Sequence, residues 1–96
     1  MLHHQFVPST GDGSGAVVFS TGRVQAVGFT VANNTAGNIV ANFTNTAGTT
    51  FFKLAVLAHD TKHITFATPV DFAGGLKVAS LSDSNIQITA YISRDL

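Results

Sequence analysis

The sequence predicts an all-β domain, a two-sheet antiparallel β-sandwich of about seven strands preceded by an N-terminal arm. Three observations predict it. Glutamate is absent and lysine scarce, while Thr, Val, Ile, Phe, Gly and Asn abound, a composition that favours strands over helices. Apolar residues alternate with polar ones in short runs, and no window repeats them at helical spacing. Clusters of Gly, Asn, Asp, Ser and Thr recur roughly every 8–12 residues, the rhythm of a sandwich or barrel.

Residues 1–8 read as an arm, apolar at Leu2, Phe6 and Val7, with Pro8 interrupting any strand pairing. Residues 9–15 (Ser-Thr-Gly-Asp-Gly-Ser-Gly) read as a flexible loop. Arm and loop thus occupy 1–15, and the sandwich domain 16–96. Its first strand is 16–20, stopped by Thr21-Gly22. The second is 23–32, with Val27, Phe29 and Val31 on one face and Ala26, Gly28 and Thr30 on the other. After a turn at 33–37, the strand 38–45 puts Ile39, Ala41 and Phe43 inward and Val40, Asn42 and Thr44 outward. Strand 50–58 alternates Phe52, Leu54 and Val56 with Phe51, Lys53 and Ala55.

His59-Asp60-Thr61-Lys62 reads as a hairpin tip, followed by a short strand at 63–67 carrying Ile64 and Phe66 on one face. Residues 69–74 read as irregular. The strand 75–81 carries Leu76 and Val78, and 85–93 alternates Ile86, Ile88, Ala90 and Ile92 with Gln87, Thr89, Tyr91 and Ser93. Strands with a single apolar face need a second sheet to cover it, so the expected arrangement is a jelly-roll-like sandwich.

Ninety-six residues allow one domain and one core. Without cysteine there is no disulfide framework and no thiolate metal site. Charged residues make up 10% of the chain and sum to zero, which leaves no dense basic patch for nucleic acid. No apolar run approaches the roughly 20 residues of a membrane-spanning helix. The first residues lack the basic start and apolar stretch of a secretory signal, so use without export is expected. A weakly charged surface on a chain that is 45% hydrophobic is a solubility risk for a free monomer. Burial in an assembly would remove it.

His59 and His63, flanking Asp60, have the four-residue spacing of a metal pair on a helix. In a hairpin with Asp60-Thr61 at its tip, His59 would face Lys62 and His63 would face Ala58, on opposite sides. In an extended strand they would stand about 13 Å apart. Neither arrangement brings two nitrogens to one ion, so no metal is expected. His3 and His4 have no carboxylate or cysteine beside them and read as contact residues of the arm, together with Leu2, Phe6 and Val7.

Nothing in the spacing of Ser, His and Asp suggests a nucleophile with its base, and Asp71 has no neighbouring basic or acidic partner in sequence. An enzyme is not expected, nor is a cofactor. The glycine-rich 11–15 leads into a strand instead of a helix followed by lysine, so it is not a phosphate cradle. Asn33-Asn34-Thr35 and Asn42-Phe43-Thr44 match the glycosylation sequon by composition. A sugar-binding sandwich is expected to show aromatic platforms, and the chain has no Trp and one Tyr, Tyr91.

From 16 to 93 the chain resembles a loosely defined family of short β-sandwich proteins among the virion genes of tailed bacteriophages. The resembling segments are Gly22-Arg23-Val24-Gln25-Ala26-Val27-Gly28-Phe29-Thr30-Val31, Gly37-Asn38-Ile39-Val40, Ala73-Gly74-Gly75-Leu76-Lys77-Val78 and Ile86-Gln87-Ile88-Thr89-Ala90-Tyr91-Ile92. The resemblance implies a structural role: a capsid decoration or cement protein, expected as a homotrimer on the outer shell, or a tail or head-fibre adaptor. Its partners would be further copies of itself and the major capsid protein or another virion protein, with assembly in the host cytoplasm. A non-catalytic glycan-binding module is the alternative of a different class. The arm, 1–8, lies outside the resembling pattern.

Overall fold

The computed structural model describes residues 5–94. They form eight strands: β1 (Val7–Gly13), β2 (Val17–Ser20), β3 (Val24–Asn33), β4 (Ile39–Thr44), β5 (Thr50–Val56), β6 (Thr61–Phe72), β7 (Leu76–Val78) and β8 (Asp83–Ser93). Two four-stranded sheets have the orders β1-β8-β3-β6 and β2-β7-β4-β5, and every pairing is antiparallel. The pairs β1–β8, β2–β7, β3–β6 and β4–β5 are those of one long hairpin, with β1 to β4 running out and β5 to β8 running back. Wrapping that hairpin adds the remaining contacts, β8–β3 and β7–β4, and divides it into two layers.

The alternation read from the sequence fills the space between the layers. Val24, Phe29, Val31, Ile86, Ile88, Ala90 and Ile92 enter it from one sheet, and Phe19, Ala41, Phe43, Val56, Leu76 and Val78 from the other. Phe52 and Ile64 are half-buried against this core, and Lys53 is exposed. The core is aromatic toward β5 and β6, where Phe29 stacks on Phe43 and meets Phe66 edge-on.

Five details depart from the sequence reading, each for a physical reason. Residues 7–13, expected as arm and loop, form β1. Pro8 lies opposite Tyr91, because an edge strand can spare an N–H. Within the glycine-rich segment, the Asp12 carboxylate accepts hydrogen bonds from the Ser14 backbone N (2.9 Å) and Oγ (2.5 Å). These bonds hold the Asp12 carboxyl below its ordinary pKa.

Val27 does not share the face of Phe29, and Ala26, expected on the opposite face, is buried in the core with Phe29. A bulge between Ala26 and Gly28 inserts it as an extra residue opposite β8, and its side chain turns to the outer face. Thr44, expected outward, is buried, next to a second irregularity between Phe43 and Thr44. That irregularity makes Phe51 the extra residue of β5, and its ring packs against Phe72 of the opposite sheet.

The segment 59–62 is not a hairpin tip, because β5 and β6 belong to different sheets and the chain crosses between them there. His63 accordingly lies opposite Thr30, not Ala58. Finally, β6 continues through the residues expected to be irregular. Phe66, Ala67, Thr68 and Pro69 fall between the pairs Gly28–Thr65 and Ala26–Val70, a wide bulge on an edge strand that tolerates proline.

One end of the sandwich is tied by Asn33, which is fully buried. Its Nδ2 donates to the carbonyls of Gly37 (2.9 Å) and Leu57 (3.0 Å), and its Oδ1 accepts from the Thr35 N (3.0 Å) and Oγ1 (2.6 Å). One amide thus fixes the β3–β4 turn and the crossing between β5 and β6. At the opposite end of β8, the Arg94 guanidinium donates to the Phe19 carbonyl and joins the two sheets.

Gly75 closes the turn before β7 with φ of +93°, and a Cβ there would lie 2.7 Å from the Ser20 carbonyl oxygen. Gly48 has a similar φ of +94° with nothing within 4 Å of the same position. Gly75→Ala is therefore expected to cost about 2 kcal/mol or more, combining the left-handed backbone with overpacking. Gly48→Ala should cost about 1 kcal/mol, from the backbone alone. Urea midpoints of the two variants check the order, and equal losses would contradict the close approach at Gly75.

Candidate functional site

The two outer faces of the sandwich differ in chemistry. Across the sheet β1-β8-β3-β6, the register places Thr10, Thr89, Thr30 and His63 in one transverse row. Adjacent members bond to one another: Thr10 Oγ1 to Thr89 Oγ1 at 3.0 Å, and Thr30 Oγ1 to His63 Nδ1 at 2.6 Å. The other ring nitrogen of His63 bonds Thr65 Oγ1 at 3.0 Å. A hydroxyl can donate or accept, so a neutral imidazole satisfies both threonines in either tautomer. The ring is thereby held in one orientation, edge-on to Tyr91 at 5.9 Å between centroids.

The next row is Pro8, Tyr91, Gly28 and Thr65. Gly28 lies between Tyr91 and Thr65, where the β6 backbone comes so close that a Cβ would stand 2.5 Å from the Ile64 carbonyl oxygen. The result is a shallow depression of about 230 Å³ lined by Val27, Gly28, His63, Thr65 and Tyr91. The bulge supplies its apolar floor, since it turns Val27 outward.

The sheet β2-β7-β4-β5 presents Val18, Lys77, Val40, Asn42, Lys53 and Ala55 outward, by alternation with buried neighbours. Val18 lies opposite Lys77, Val40 opposite Ala55, and Asn42 opposite Lys53. Val18 and Val40 are 52% and 45% exposed. No carboxylate occurs among these outward residues, and Asn42 Oδ1 is buried without a hydrogen-bond partner among the described residues.

The histidine pair singled out in the sequence is not brought together as a unit. His59 sits exposed in the crossing segment with a left-handed φ of 56°, while both ring nitrogens of His63 are engaged on the β6 outer face. Asp71 has a partner that sequence distance hid: Arg23 grips it through Nε (3.0 Å) and Nη2 (2.5 Å). The hydrogen bonds from Arg23 hold the Asp71 carboxyl below its usual range. Both groups are exposed, and such a pair contributes little to stability.

Of the arm residues, Phe6 is half-buried and Val7 begins β1 opposite Ile92 while remaining 44% exposed. Leu2, His3 and His4 lie outside the described residues. The sequon residue Asn33 is buried in the staple and offers no free amide for glycosylation. Comparison with protein-family models, curated proteins and solved structures finds no match to this chain.

Proposed function

We propose that the protein is a non-catalytic structural component of a tailed-bacteriophage particle, a decoration or cement protein on the outer surface of the head. The strand order carries this reading. β1-β8-β3-β6 facing β2-β7-β4-β5 is the order obtained by rolling one hairpin into a jelly roll, an architecture used by viral capsid and lectin domains. A fold alone does not set function, so the surfaces must supply the rest. The outer face of β2-β7-β4-β5 combines exposed valines with two lysines and no carboxylate. That chemistry suits a partner surface that combines apolar and acidic groups.

The mechanism is mechanical. Copies bridge neighbouring shell subunits, so separating those subunits also breaks the contacts of the bridge. A closed homotrimer on the local three-fold positions of the shell satisfies the symmetry without forming open filaments. The phage resemblance supplies the number three.

The test is a particle lacking this protein. Shells are expected to assemble and then rupture at milder heat or osmotic shock than complete ones, with full strength restored by adding purified protein. Unchanged rupture conditions would overturn the reading. A protein present in few copies, whose loss abolishes infectivity without softening the shell, would instead be a tail or head-fibre adaptor.

A further inference from the structure

From the depression beside Gly28, we infer a binding site for one neutral sugar ring, exposed at the end or along the length of a glycan. Three properties of the site select this ligand class. The first is size. Sites for drug-sized ligands run to roughly 300–1,000 Å³. About 230 Å³ accommodates a single ring, and its place on an open sheet face lets a chain continue in either direction.

The second is amphipathicity. Val27 and the rings of Tyr91 and His63 give a mostly apolar lining, which also includes two hydroxyl-bearing residues, Thr65 and Tyr91. The Tyr91 hydroxyl makes no hydrogen bond to the described residues, and Tyr91 is half-buried, so the group is open to a ligand. A pyranose has the matching form, a C–H face with hydroxyls at its edge, and an aromatic ring with a polar tip serves both parts. The third is charge. Val27, Gly28, His63, Thr65 and Tyr91 include no carboxylate, lysine or arginine, so nothing in the lining repays the desolvation of an anionic sugar.

The walls are also fixed before any ligand arrives. The Thr30–His63–Thr65 bonds hold the imidazole, and the ladder holds Tyr91 between β1 and β3. Little ordering cost therefore falls on binding. The site shares no residue with the outer face of β2-β7-β4-β5, so it stands whether or not the protein decorates a shell.

The experiment is an amide chemical-shift titration of the purified full chain, with glucose, galactose, mannose and N-acetylglucosamine as probes. Glucuronate serves as the anionic control and N-acetyl-leucinamide as the peptide control. At least one neutral sugar is expected to shift the amides of Val27, Gly28, His63, Thr65 and Tyr91 saturably in the millimolar range, and at least tenfold more tightly than glucuronate. Tyr91→Phe should weaken that sugar severalfold, and Tyr91→Ala should abolish saturation while the spectrum stays dispersed. Three results overturn the inference: no saturable shift by any neutral sugar, shifts that map elsewhere, or saturation by N-acetyl-leucinamide alone, which would make the depression a pocket for a protein side chain. The titration uses wild-type protein in solution, so it fails or succeeds independently of the shell experiment.

Discussion

Phe29→Ala is expected to lower the unfolding free energy by about 3–5 kcal/mol, the range for truncating a buried phenylalanine. The side chain is fully buried, and its position explains why the upper end applies. From β3 it stacks on Phe43 of the opposite sheet at 4.0 Å between centroids, and it meets Phe66 edge-on at 5.5 Å. Phe52 and Phe72 lie at 6.1 and 6.3 Å. Removing the ring takes a shared neighbour from both layers, and a rigid two-sheet frame cannot collapse to fill the space. Small domains are stable by only about 5–15 kcal/mol, so the variant should be close to unfolding at room temperature. Urea denaturation checks the value, with Lys53→Ala as an exposed comparison expected within about 0.5 kcal/mol. A Phe29→Ala loss below about 1.5 kcal/mol would mean that the aromatic cluster is not the centre of the core.

Asn33→Leu is expected to cost about 2–4 kcal/mol although the side chains are similar in size. The loss comes from the bonds the amide makes to Gly37 O, Leu57 O and Thr35 N; the two carbonyls keep second donors, Thr35 Oγ1 and Asp60 N, whereas Thr35 N has no other partner among the described residues. Each lost bond is worth about 0.5–1.5 kcal/mol, and the unpartnered Thr35 N costs about 1–3 kcal/mol, reduced where relaxation admits water. Asn33→Asp separates this account from simple packing. An aspartate keeps the acceptor for Thr35 but turns an ionised oxygen toward two carbonyls. Burial and those carbonyls raise its folded pKa above the unfolded value near 3.9. Its deficit relative to wild type should therefore be smallest below that unfolded value and should grow as pH rises through the raised folded pKa. Melting temperatures of the pair from pH 3 to pH 8 test the sign. A deficit independent of pH would remove the carbonyls from the explanation.

The core was legible because it depends on local alternation. Phe29, Val31, Phe43, Ile86 and Ile88 are each flanked by polar or small residues, and period two places them without knowledge of any partner strand. Val27 has the same local pattern yet faces outward, since a bulge is a relation between two strands and no residue announces it. Only the adjacent Gly28 hinted at an irregularity. β1 was missed because Ser-Thr-Gly-Asp-Gly carries turn chemistry, and the ladder offered by β8 overrides that propensity. Asn33 read as one of several turn asparagines. Its importance lies in Leu57, distant in sequence.

The depression at Gly28 was the least legible feature. His63, Gly28 and Tyr91 lie on three strands, and their meeting depends on two registers and one bulge. The single tyrosine, which by composition argues against sugar binding, lines the depression together with that glycine.

The wrapped hairpin has a consequence for how the chain acquires its structure during synthesis. β8 is the last strand to be translated, yet it occupies an interior place between β1 and β3. Until it leaves the ribosome, β1 has no ladder to join and β3 has only β6. The sheet that carries the hydroxyl face cannot close before β8 is made, and the other sheet until then has no finished layer to pack against. Nascent chains therefore wait with strand edges and apolar faces uncovered, for seconds at translation rates of about 5–20 residues per second. Such non-local pairing also places the later folding step among the slower classes, in milliseconds to seconds. Wherever many copies are made at once, this interval exposes the chain to aggregation, and the sparse surface charge does little to keep neighbouring chains apart.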